Sequence, residues 1–372
     1  MRVAIIADYQ EEKWPSMDLV AEMLTQHLKE IPGVEVELVR PPMPTFFGRL
    51  LGARGNNLDR LLARFVHYPA YVSKLRDRFD VFHITDHSYS QLVHSLPAER
   101  TIVTCHDIDT FRSLLGQEAR PWWYRKMAAR IASGMQKAAY VVCVSEQTRL
   151  DLIKHQLIDP KRLGLVHNGV SEEYFQPPTS EALEWVQAWI REHGLEGRPL
   201  LLHVGSTIAR KRIDILLRVL AAAAEEIPEL VLIRVGNEFS EQHSGLLASL
   251  GLEKRIHRLE FLERPRLVAF YHLTTLVLQT SSAEGFGLPV AEAMACGANV
   301  VASDIPVLRE VGGNLAHYCA LEDIDEWRDK VLLLLKDTSN KIAIQQWATR
   351  YRWGRSAHLL VHEYYEKLGV LN

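Results

Sequence analysis

Apolar and polar residues follow two alternating periods along this chain, which predicts a repeating strand–helix order. Short apolar runs typical of buried strands recur through the first 170 residues. Runs with helical spacing of apolar residues, such as residues 17–29, separate most of them. We predict strands at residues 2–7, 34–39, 80–84, 101–105, 140–144 and 162–166. This βαβ alternation indicates a parallel sheet covered by helices on both faces.

The pattern restarts after a linker at residues 176–180, which contains two prolines and two hydroxyl residues. A helix is predicted at residues 181–193, and a second strand series follows. Its strands are predicted at residues 200–204, 229–235, 256–261, 276–279 and 299–302. The fold class is therefore α/β, with two Rossmann-like domains of parallel sheets facing each other across a cleft. Ligands of open α/β sheets bind beyond the carboxyl ends of the strands, so the cleft is the expected site.

The stretch from Glu284 to Gly297 has the pattern of an anion site. The glycines at 285 and 287 follow a buried strand, and Pro289 stands where the first helical residue is expected. The free N–H groups of such a helix start attract a phosphate. Glu284 and Glu292 lie on either side of the turn, and carboxylates accept hydrogen bonds from sugar hydroxyls. The local chemistry therefore predicts a ligand that combines a polyol with a phosphate.

A second candidate phosphate site follows the first strand of the second series. Gly205 ends that strand, and Arg210, Lys211 and Arg212 come soon after it. A solvated basic helix start is the alternative, but cations are unfavourable at a helix N-terminus. We therefore predict that this segment binds a diphosphate.

The stretch from Glu284 to Glu292, followed by Ala-Met-Ala-Cys-Gly, resembles the Glu-x7-Glu signature of the retaining glycosyltransferases of family 4. The resemblance covers most of the chain and is stronger after residue 200. It implies the two-domain GT-B architecture and a nucleotide diphosphate sugar as donor. It also implies that the closing helix crosses back to the first domain. The expected domains are residues 1–172 on the acceptor side, 173–350 on the donor side, and this helix at 351–372.

The resemblance assigns roles to individual residues. Glu284 positions the donor sugar, Glu292 holds the ribose, and Lys211 stabilises the leaving diphosphate. His106, at a predicted strand end, contacts the donor sugar and has a catalytic role. The other donor-side positions are Gly205, Ser206, Arg210, Asn237, Phe261, Leu262, Gly285, Phe286, Gly287 and Leu288. Asp86 and His87 end another strand and are expected on the acceptor side.

Two departures from the family pattern stand out. Ser206 occupies the place of a family arginine, so Arg210 or Arg212 is expected to compensate. The loop after the first strand, residues 8–17, contains none of the glycines that let family members approach the diphosphate. Glu11 and Glu12 of this loop would repel a diphosphate unless they point at acceptor hydroxyls.

Charge is distributed unevenly along the chain. Residues 1–170 contain 22 Lys and Arg against 19 Asp and Glu, whereas the remainder contains 21 against 27. Residues 40–80 and 111–140 combine basic residues with Phe, Leu and Trp, which favours peripheral contact with a membrane or an anionic acceptor. Amphipathic helices with solvated arginines would give the same pattern. The net charge of −3 argues against a nucleic-acid partner.

Other residues carry the predictions about a metal ion and about the cellular compartment. Asp107 and Asp109, like Asp323 and Asp325, form Asp-x-Asp pairs, but neither pair is near Lys211 in the motif order. We expect no essential metal and no cofactor, because cations and a helix dipole already neutralise the phosphates. The four isolated cysteines fit neither disulfides nor zinc and favour a reducing cytoplasm. The N-terminal run is a strand rather than a signal peptide, so we expect a cytoplasmic enzyme, with peripheral contact at the inner face of the membrane.

The function expected from these features is transfer of a mannose- or glucose-type hexose. GDP-mannose or a UDP-hexose would be the donor, and a glycan or lipid-linked sugar the acceptor. Three alternatives stay open. The chain could be another GT-B enzyme, such as a nucleotide-sugar epimerase or a phosphorylase, or a non-catalytic partner subunit. A nicotinamide-dependent enzyme is disfavoured, because residues 8–16 contain no Gly-x-Gly-x-x-Gly.

Overall fold

The structure, a computed structural model, describes residues 1–45, 47, 53–336 and 340–369. The chain forms two compact units. Unit 1 contains residues 1–169 and 353–372, and unit 2 contains residues 170–352. The C-terminal helix thus belongs to the same unit as the N-terminal strands.

Unit 1 is built on a six-stranded parallel sheet. Its strands are β1 (Arg2–Ile6), β2 (Glu35–Val39), β3 (Val81–Ile84), β4 (Thr101–Cys105), β5 (Tyr140–Cys143) and β6 (Leu163–Leu165). The order across the sheet is β2–β1–β3–β4–β5–β6. Strands β3, β4 and β5 are buried along their whole length. Helical layers cover both faces, so continuous apolar runs are favoured there.

Helices pack on both faces of this sheet. They are α1 (Pro15–Lys29), α2 (Ala53–Leu62), α3 (Tyr68–Ser73), α4 (Trp122–Lys137) and α5 (Glu146–Lys154), joined by the C-terminal helix (Trp353–Leu368). Val3 and Ile5 of β1 face a core that includes the C-terminal helix, whereas Ala4 and Ile6 face the opposite core. This follows from the two-residue period of a strand. Tyr364 anchors the C-terminal helix through its hydroxyl, which lies 2.5 Å from His83 Nδ1.

Unit 2 repeats the architecture with a second six-stranded parallel sheet. Its strands are β7 (Leu200–Val204), β8 (Val231–Val235), β9 (Ile256–Leu259), β10 (Leu276–Gln279), β11 (Val300–Ser303) and β12 (His317–Cys319). The order is β12–β11–β10–β7–β8–β9. The helices are α6 (Ser180–Glu192), α7 (Ile213–Glu226), α8 (Glu241–Ser249), α9 (Arg264–Leu273), α10 (Leu288–Ala295), α11 (Pro306–Gly312), α12 (Ile324–Leu334) and α13 (Lys341–Ala348).

The predicted fold class, α/β with two Rossmann-like parallel sheets, is confirmed. One strand was missed, and the predicted limits of several others differ from the structure by one or two residues. Strand β12 was not predicted, because a three-residue strand is too short to show a period. Strand β9 ends at Leu259, two residues before the predicted end at Phe261.

Candidate functional site

Glu284 lies at the centre of an ion cluster in unit 2, beyond the carboxyl end of β10. Its Oε1 is 2.5 Å from Lys211 Nζ, and its Oε2 is 2.9 Å from Arg210 Nη1. Ser281 Oγ and Gln279 Nε2 each donate to Oε1 at 2.7 Å. The side chain is 5% exposed. The carboxylate is therefore buried, neutralised by cations and hydrogen-bonded through both oxygens, with fewer donors on Oε2 than on Oε1.

The cluster fixes the protonation state of Glu284. Burial by itself would raise the pKa of this carboxyl, but Lys211 and Arg210 outweigh burial and lower the pKa to about 2. Glu284 is thus an anion at neutral pH. Lys211 Nζ carries three donors, so donors remain for a ligand beyond the one directed at Glu284.

A short 3₁₀ turn holds the two cations in place. The turn is followed by Arg212, whose φ is +47°. Thr280 Oγ1 donates to the carbonyl oxygen of Lys211 at 3.0 Å, and the Ser282 N–H donates to the carbonyl oxygen of Arg210 at 2.8 Å. The basic turn is therefore fastened by its backbone to the loop that carries Glu284.

Arg212 has different partners from its two neighbours. Its guanidinium lies 2.8 Å from Asp214 and 2.7 Å from Glu322. Of the two arginines expected to compensate for Ser206, Arg210 is the one that reaches Glu284. Ser206 itself is half-buried in the loop before the turn.

The predicted helix start is present, one residue earlier than expected. Helix α10 begins at Leu288, so Pro289 is its second residue rather than its first. Gly287 precedes the helix with φ +90°, and a Cβ there would lie 2.7 Å from Leu308 Cδ2. Gly285 does not have a positive φ. Glycine is thus required at 287. In the first turn Pro289 has no N–H, and the N–H groups of Val290 and Ala291 donate to the Gly287 oxygen, so anion binding there stays a prediction.

Glu292 lies within α10 in a different electrostatic environment. It is 7% exposed, and the Tyr271 hydroxyl donates to its Oε2 at 3.1 Å. Burial raises the pKa of Glu292 to about 7, although hydrogen bonds from Tyr174 and Tyr271 oppose the shift. Contact between Glu292 and a ribose stays a prediction.

Arg234 was missed by the sequence analysis. It is fully buried in β8, and its guanidinium donates to the carbonyl oxygens of Asn237, at 2.5 Å, and Gly205, at 3.1 Å. Arg234 thus links two predicted donor-side positions at the ends of neighbouring strands. Gly236 lies between them with φ +150°, and a Cβ there would lie 1.9 Å from the Gly205 oxygen.

His203 in β7 was also missed. Its ring is buried, and neither nitrogen has a hydrogen-bond partner among the described residues. Burial, with a smaller contribution from Arg234, lowers the pKa of His203 to about 3. The available signal was a polar residue inside an apolar strand, and Arg234 in β8 gives the same signal.

The segment expected to contact the nucleobase lies in the loop after β9. Phe261 is 77% exposed, whereas Leu262 is 7% exposed. Phe286, in the glycine turn, is buried and packs edge-on against Tyr351 with ring centroids 5.4 Å apart. Base recognition by this segment stays a prediction.

Unit 1 brings His106, Asp86 and His87 together. His106 Nε2 lies 2.8 Å from the carbonyl oxygen of Thr85. The backbone N–H of His106 donates to His87 Nδ1 at 3.4 Å. Ser88 donates to both oxygens of Asp86, from its N–H at 2.8 Å and its hydroxyl at 2.5 Å. All three side chains are largely buried. Burial lowers the pKa of His106, which is therefore neutral at pH 7.

Two further carboxyl groups join this cluster and were not among the predicted site residues. Asp8 follows β1 and is 3% exposed, and Glu12 is 8% exposed. No described residue donates a hydrogen bond to either carboxyl group. Burial and the neighbouring Asp86 raise the pKa of Asp8 well above its usual value, whereas that of Asp86 is lowered to about 2, mainly by His87 and His106, against the effect of burial.

The Asp-x-Asp pairs make local contacts. Asp107 accepts from the Asp109 N–H at 2.9 Å, and Asp323 caps α12 through the Glu326 N–H at 3.0 Å. Within the described ranges, no group of three or more His, Cys, Asp or Glu residues has the arrangement of a metal site.

The two basic, aromatic segments lie in unit 1. Trp122 and Trp123, at the start of α4, are 70% and 49% exposed, and Val66 is 60% exposed. Phe46 and residues 48–52 of the first segment lie outside the described residues. In the part of the chain that the structure describes, no helix is long and apolar enough to span a bilayer.

Family models match both halves of the chain. Residues 186–353 match the model described as Glycosyl transferases group 1, and residues 18–174 match the model described as Glycosyltransferase Family 4. Both predicted clusters lie largely within these ranges, although Asp8 and Glu12 precede the second one.

Relatives and solved structures resemble the chain over most of its length. The serotype-specific mannosyltransferase WbdA of Escherichia coli is 26% identical over 292 residues, which is 74% of this chain but 35% of that protein. The chain thus spans about a third of that relative. The GDP-mannose:cellobiosyl-diphosphopolyprenol alpha-mannosyltransferase of Xanthomonas oryzae pv. oryzae is 23% identical and covers 87% of this chain and 81% of its own.

Among solved structures, Anabaena Alr3699/HepE in complex with UDP has a TM-score of 0.71 and 18% identity. The match covers 97% of this chain and 99% of that one. The same Anabaena protein has also been solved in complex with UDP-glucose. At this identity the likeness concerns the fold.

Proposed function

The chain belongs to glycosyltransferase family 4, and from this premise we propose that it is a retaining glycosyltransferase. Its donor is a hexose carried on a nucleoside diphosphate, of the GDP-mannose or UDP-hexose type. Its acceptor is a glycan or a lipid-linked sugar. The mannosyltransferase names of two relatives and the UDP-glucose complex of the Anabaena protein support a donor of this class.

The observation that carries the proposal is the ion cluster of Glu284, Lys211 and Arg210, just before the first turn of α10. A diphosphate needs positive charge, which Lys211 and Arg210 supply and to which the dipole of α10 adds. A hexose needs hydrogen-bond acceptors, which the Glu284 carboxylate supplies. Both requirements are met within hydrogen-bond distance of one carboxylate.

The proposed mechanism assigns each group one task. Glu284 orients the hexose, and Lys211 stabilises the negative charge that develops on the departing diphosphate. Glu292 holds the ribose, and His106 hydrogen-bonds a sugar hydroxyl. The acceptor hydroxyl attacks from the face that the diphosphate leaves, and the departing phosphate oxygen takes its proton. Attack on that face retains the anomeric configuration.

The same cluster supports transfer without an essential metal ion. Lys211 and Arg210 provide two positive charges, and the α10 dipole adds a partial one. The measurement is turnover in EDTA and in Mg²⁺ or Mn²⁺. Equal rates are expected, and dependence on a divalent cation would contradict this part of the proposal.

Nucleotide binding and donor consumption test the function. A thermal-shift panel of UDP, GDP and ADP with their hexose derivatives should show stabilisation by one base, since ligands of the native state raise apparent stability. Lys211→Ala should remove that shift, and Glu284→Gln should remove nucleoside diphosphate release from the sugar nucleotide. Lys254→Ala is the matched control, because Lys254 is exposed and distant in sequence from the cluster.

The outcomes separate the alternatives. No shift with any nucleotide would refute the donor site. A shift without diphosphate release in any acceptor screen would favour the non-catalytic partner. Sugar phosphate formed only with added inorganic phosphate would indicate a phosphorylase.

We also propose that α4 of unit 1 contacts the surface of an anionic membrane, on the inner face in a cytoplasmic setting. Trp122 and Trp123 are exposed at its start, and Arg125, Lys126 and Arg130 follow within two turns. Exposed tryptophans beside cations are typical of interfacial binding. Vesicles containing phosphatidylglycerol should sediment the wild-type chain but not Trp122→Ala/Trp123→Ala. Leu333→Ala, an exposed apolar site of unit 2, serves as control.

A further inference from the structure

Three neighbouring strands of unit 1 end in polar side chains at one edge of the sheet. Asp8 follows β1, Asp86 follows β3, and His106 follows β4. These strands are adjacent in the order β1–β3–β4 and run parallel. Their carboxyl ends therefore meet at the edge where α/β sheets bind ligands.

The backbone after β1 turns Glu12 into the same cluster. Residues 10–12 form a 3₁₀ turn, and Lys13 ends it with φ +57°. The Glu12 side chain is 1% exposed, whereas Glu11 is exposed and accepts a hydrogen bond from the Met43 N–H at 3.1 Å. Of the two glutamates that the sequence left undecided, Glu12 is the one that points inward.

The carboxyl oxygens of Asp8 and Glu12 lack donors. None of the four accepts a hydrogen bond from a described residue, although the Asp8 carboxyl is close enough to that of Asp86 to donate its proton to it. Arg60 Nε and Arg64 Nη1 lie 3.5 Å and 3.8 Å from Glu12, too far for well-formed hydrogen bonds. Arg64 Nη2 donates to the hydroxyl and carbonyl oxygens of Ser88 instead. Since buried polar groups are normally satisfied, these oxygens are arranged for donors from outside the chain.

The charges around Asp8 and Glu12 determine which kind of hydrogen-bond donor can bind to them. A phosphate or carboxylate would meet Glu12 and Asp86 together, which like-charge repulsion opposes. A sugar hydroxyl offers an O–H to a carboxylate oxygen and brings no net charge. The Arg64 guanidinium, 4.2 Å from the Tyr89 ring centroid, already supplies the nearby positive charge.

We propose that Asp8 and Glu12 bind hydroxyl groups of the acceptor, which therefore presents an uncharged sugar, not a phosphate or carboxylate, at this edge of unit 1. This inference rests on the proposed glycosyltransferase function. It assigns the glycine-free loop after β1 to the acceptor. Asp8 and Glu12 are thereby specificity-determining residues.

The experiment uses the intact chain and saturation-transfer NMR. The probes are methyl α-D-mannopyranoside, methyl α-D-glucopyranoside and glucose 6-phosphate. We expect a neutral glycoside to bind, and Asp8→Ala or Glu12→Ala to weaken its binding by roughly tenfold or more. Asp8→Asn, which keeps one carbonyl acceptor, should fall in between. Asp77→Ala, an exposed carboxylate of the same unit, should bind as wild type does.

Three results would overturn the inference. They are absence of neutral-glycoside binding to the wild type, unchanged binding in both alanine variants, and tighter binding of glucose 6-phosphate. Binding that required added Mg²⁺ would also overturn it, because the carboxylates would then serve a cation.

Two further readouts separate this inference from its alternatives. The nucleotide thermal shift should persist in Asp8→Ala and Glu12→Ala. Its absence from the wild type, with glycoside binding retained, would refute the proposed function alone. The melting temperature of ligand-free Asp8→Ala should not fall below that of the wild type, whereas a purely structural carboxyl would lower it on removal.

Discussion

The polar clusters of the two units are built in opposite ways. In unit 2, Glu284 receives two cations and two neutral donors, so its charge is compensated before any ligand binds. In unit 1, Asp8 and Glu12 are as deeply buried but receive no hydrogen bond from the described residues, although Arg60 and Arg64 form longer ion pairs with Glu12. Both clusters lie at the edge of a parallel sheet. They differ in whether the chain itself supplies hydrogen-bond donors to the buried carboxyl groups.

The difference indicates which chemical groups of a ligand each cluster can bind. Under the proposed function the unit 2 cluster is preorganised, because Glu284 already holds Lys211 and Arg210 where a diphosphate would need them. The carboxyl oxygens of the unit 1 cluster lack hydrogen-bond donors, which lowers the stability of the folded chain until a ligand supplies those donors. Polar groups kept at a cost to stability are typical of functional sites.

The largest effect should come from breaking the compensated cluster. Lys211→Ala leaves Glu284 buried with part of its countercharge removed, and loss of one partner of a buried ion pair costs about 3–5 kcal/mol. We expect the free energy of unfolding, measured with urea, to fall by that order. The double variant Lys211→Met/Glu284→Gln should recover most of the loss without recovering nucleotide binding. A stable Lys211→Ala single variant would show that Arg210 suffices to compensate Glu284.

Acid titration should distinguish the clusters next. The pKa of Glu284 is lowered from 4.5 to about 2 in the folded chain. Its contribution to stability is therefore present above pH 4.5 and is lost as pH falls towards 2. A shift of this size corresponds to roughly 3 kcal/mol. Urea unfolding at about pH 6 and about pH 3 should show a smaller loss of stability in Glu284→Gln than in the wild type. An equal loss in both chains would contradict the pairing.

Asp8 should show the opposite sign. Burial and Asp86 raise the pKa of Asp8, so the folded state holds its proton more tightly than the unfolded state. Its contribution is favourable at low pH and is lost as pH rises, with Glu12, Asp86 and Arg64 as the facing charged groups. Asp8→Asn removes this loss, and we expect a gain of about 1–2 kcal/mol at pH 7. Thermal unfolding of both chains from acid to neutral pH measures this gain in stability. A variant less stable than the wild type would refute the claim that the Asp8 carboxyl lacks hydrogen-bond donors.

The smallest effect concerns the two arginines that flank Lys211. Arg210→Ala removes a partly exposed partner of Glu284, which should cost about 1 kcal/mol and weaken nucleotide binding several-fold. Arg212→Ala should leave the nucleotide shift unchanged, because Arg212 pairs with Asp214 and Glu322. Equal effects of both variants in the thermal-shift assay would show that the basic turn acts only through its total charge.

The sequence predicted the parallel sheets well, for a local reason. Strands β4, β7 and β10 have the predicted limits, because a fully buried strand is a continuous apolar run and is visible without its neighbours. Edge strands were less visible. Strand β12 was missed, and β9 ends early, since an edge strand has fewer buried positions.

The candidate site was predictable where its residues belong to one motif. Glu284, Gly287 and the start of α10 are consecutive, so the turn and helix start followed from glycine and proline chemistry. The ion-pair partner of Glu284 was harder to predict from the sequence. Lys211 and Glu284 are 73 residues apart, and their contact depends on β7 and β10 being neighbours in the sheet.

Local patterns were enough to predict the repeating strand–helix order, the glycine turn before α10 and the cation-rich segment at residues 210–212. These depend on backbone preferences and on residues within one helical turn. Contacts between distant segments determine that Arg210 rather than Arg212 faces Glu284, and that Arg234 links Gly205 to Asn237. They also determine that Glu12 points inward beside Asp8. Such pairings arise because separate strands end at one edge of a sheet, and no local pattern records which side chains meet there.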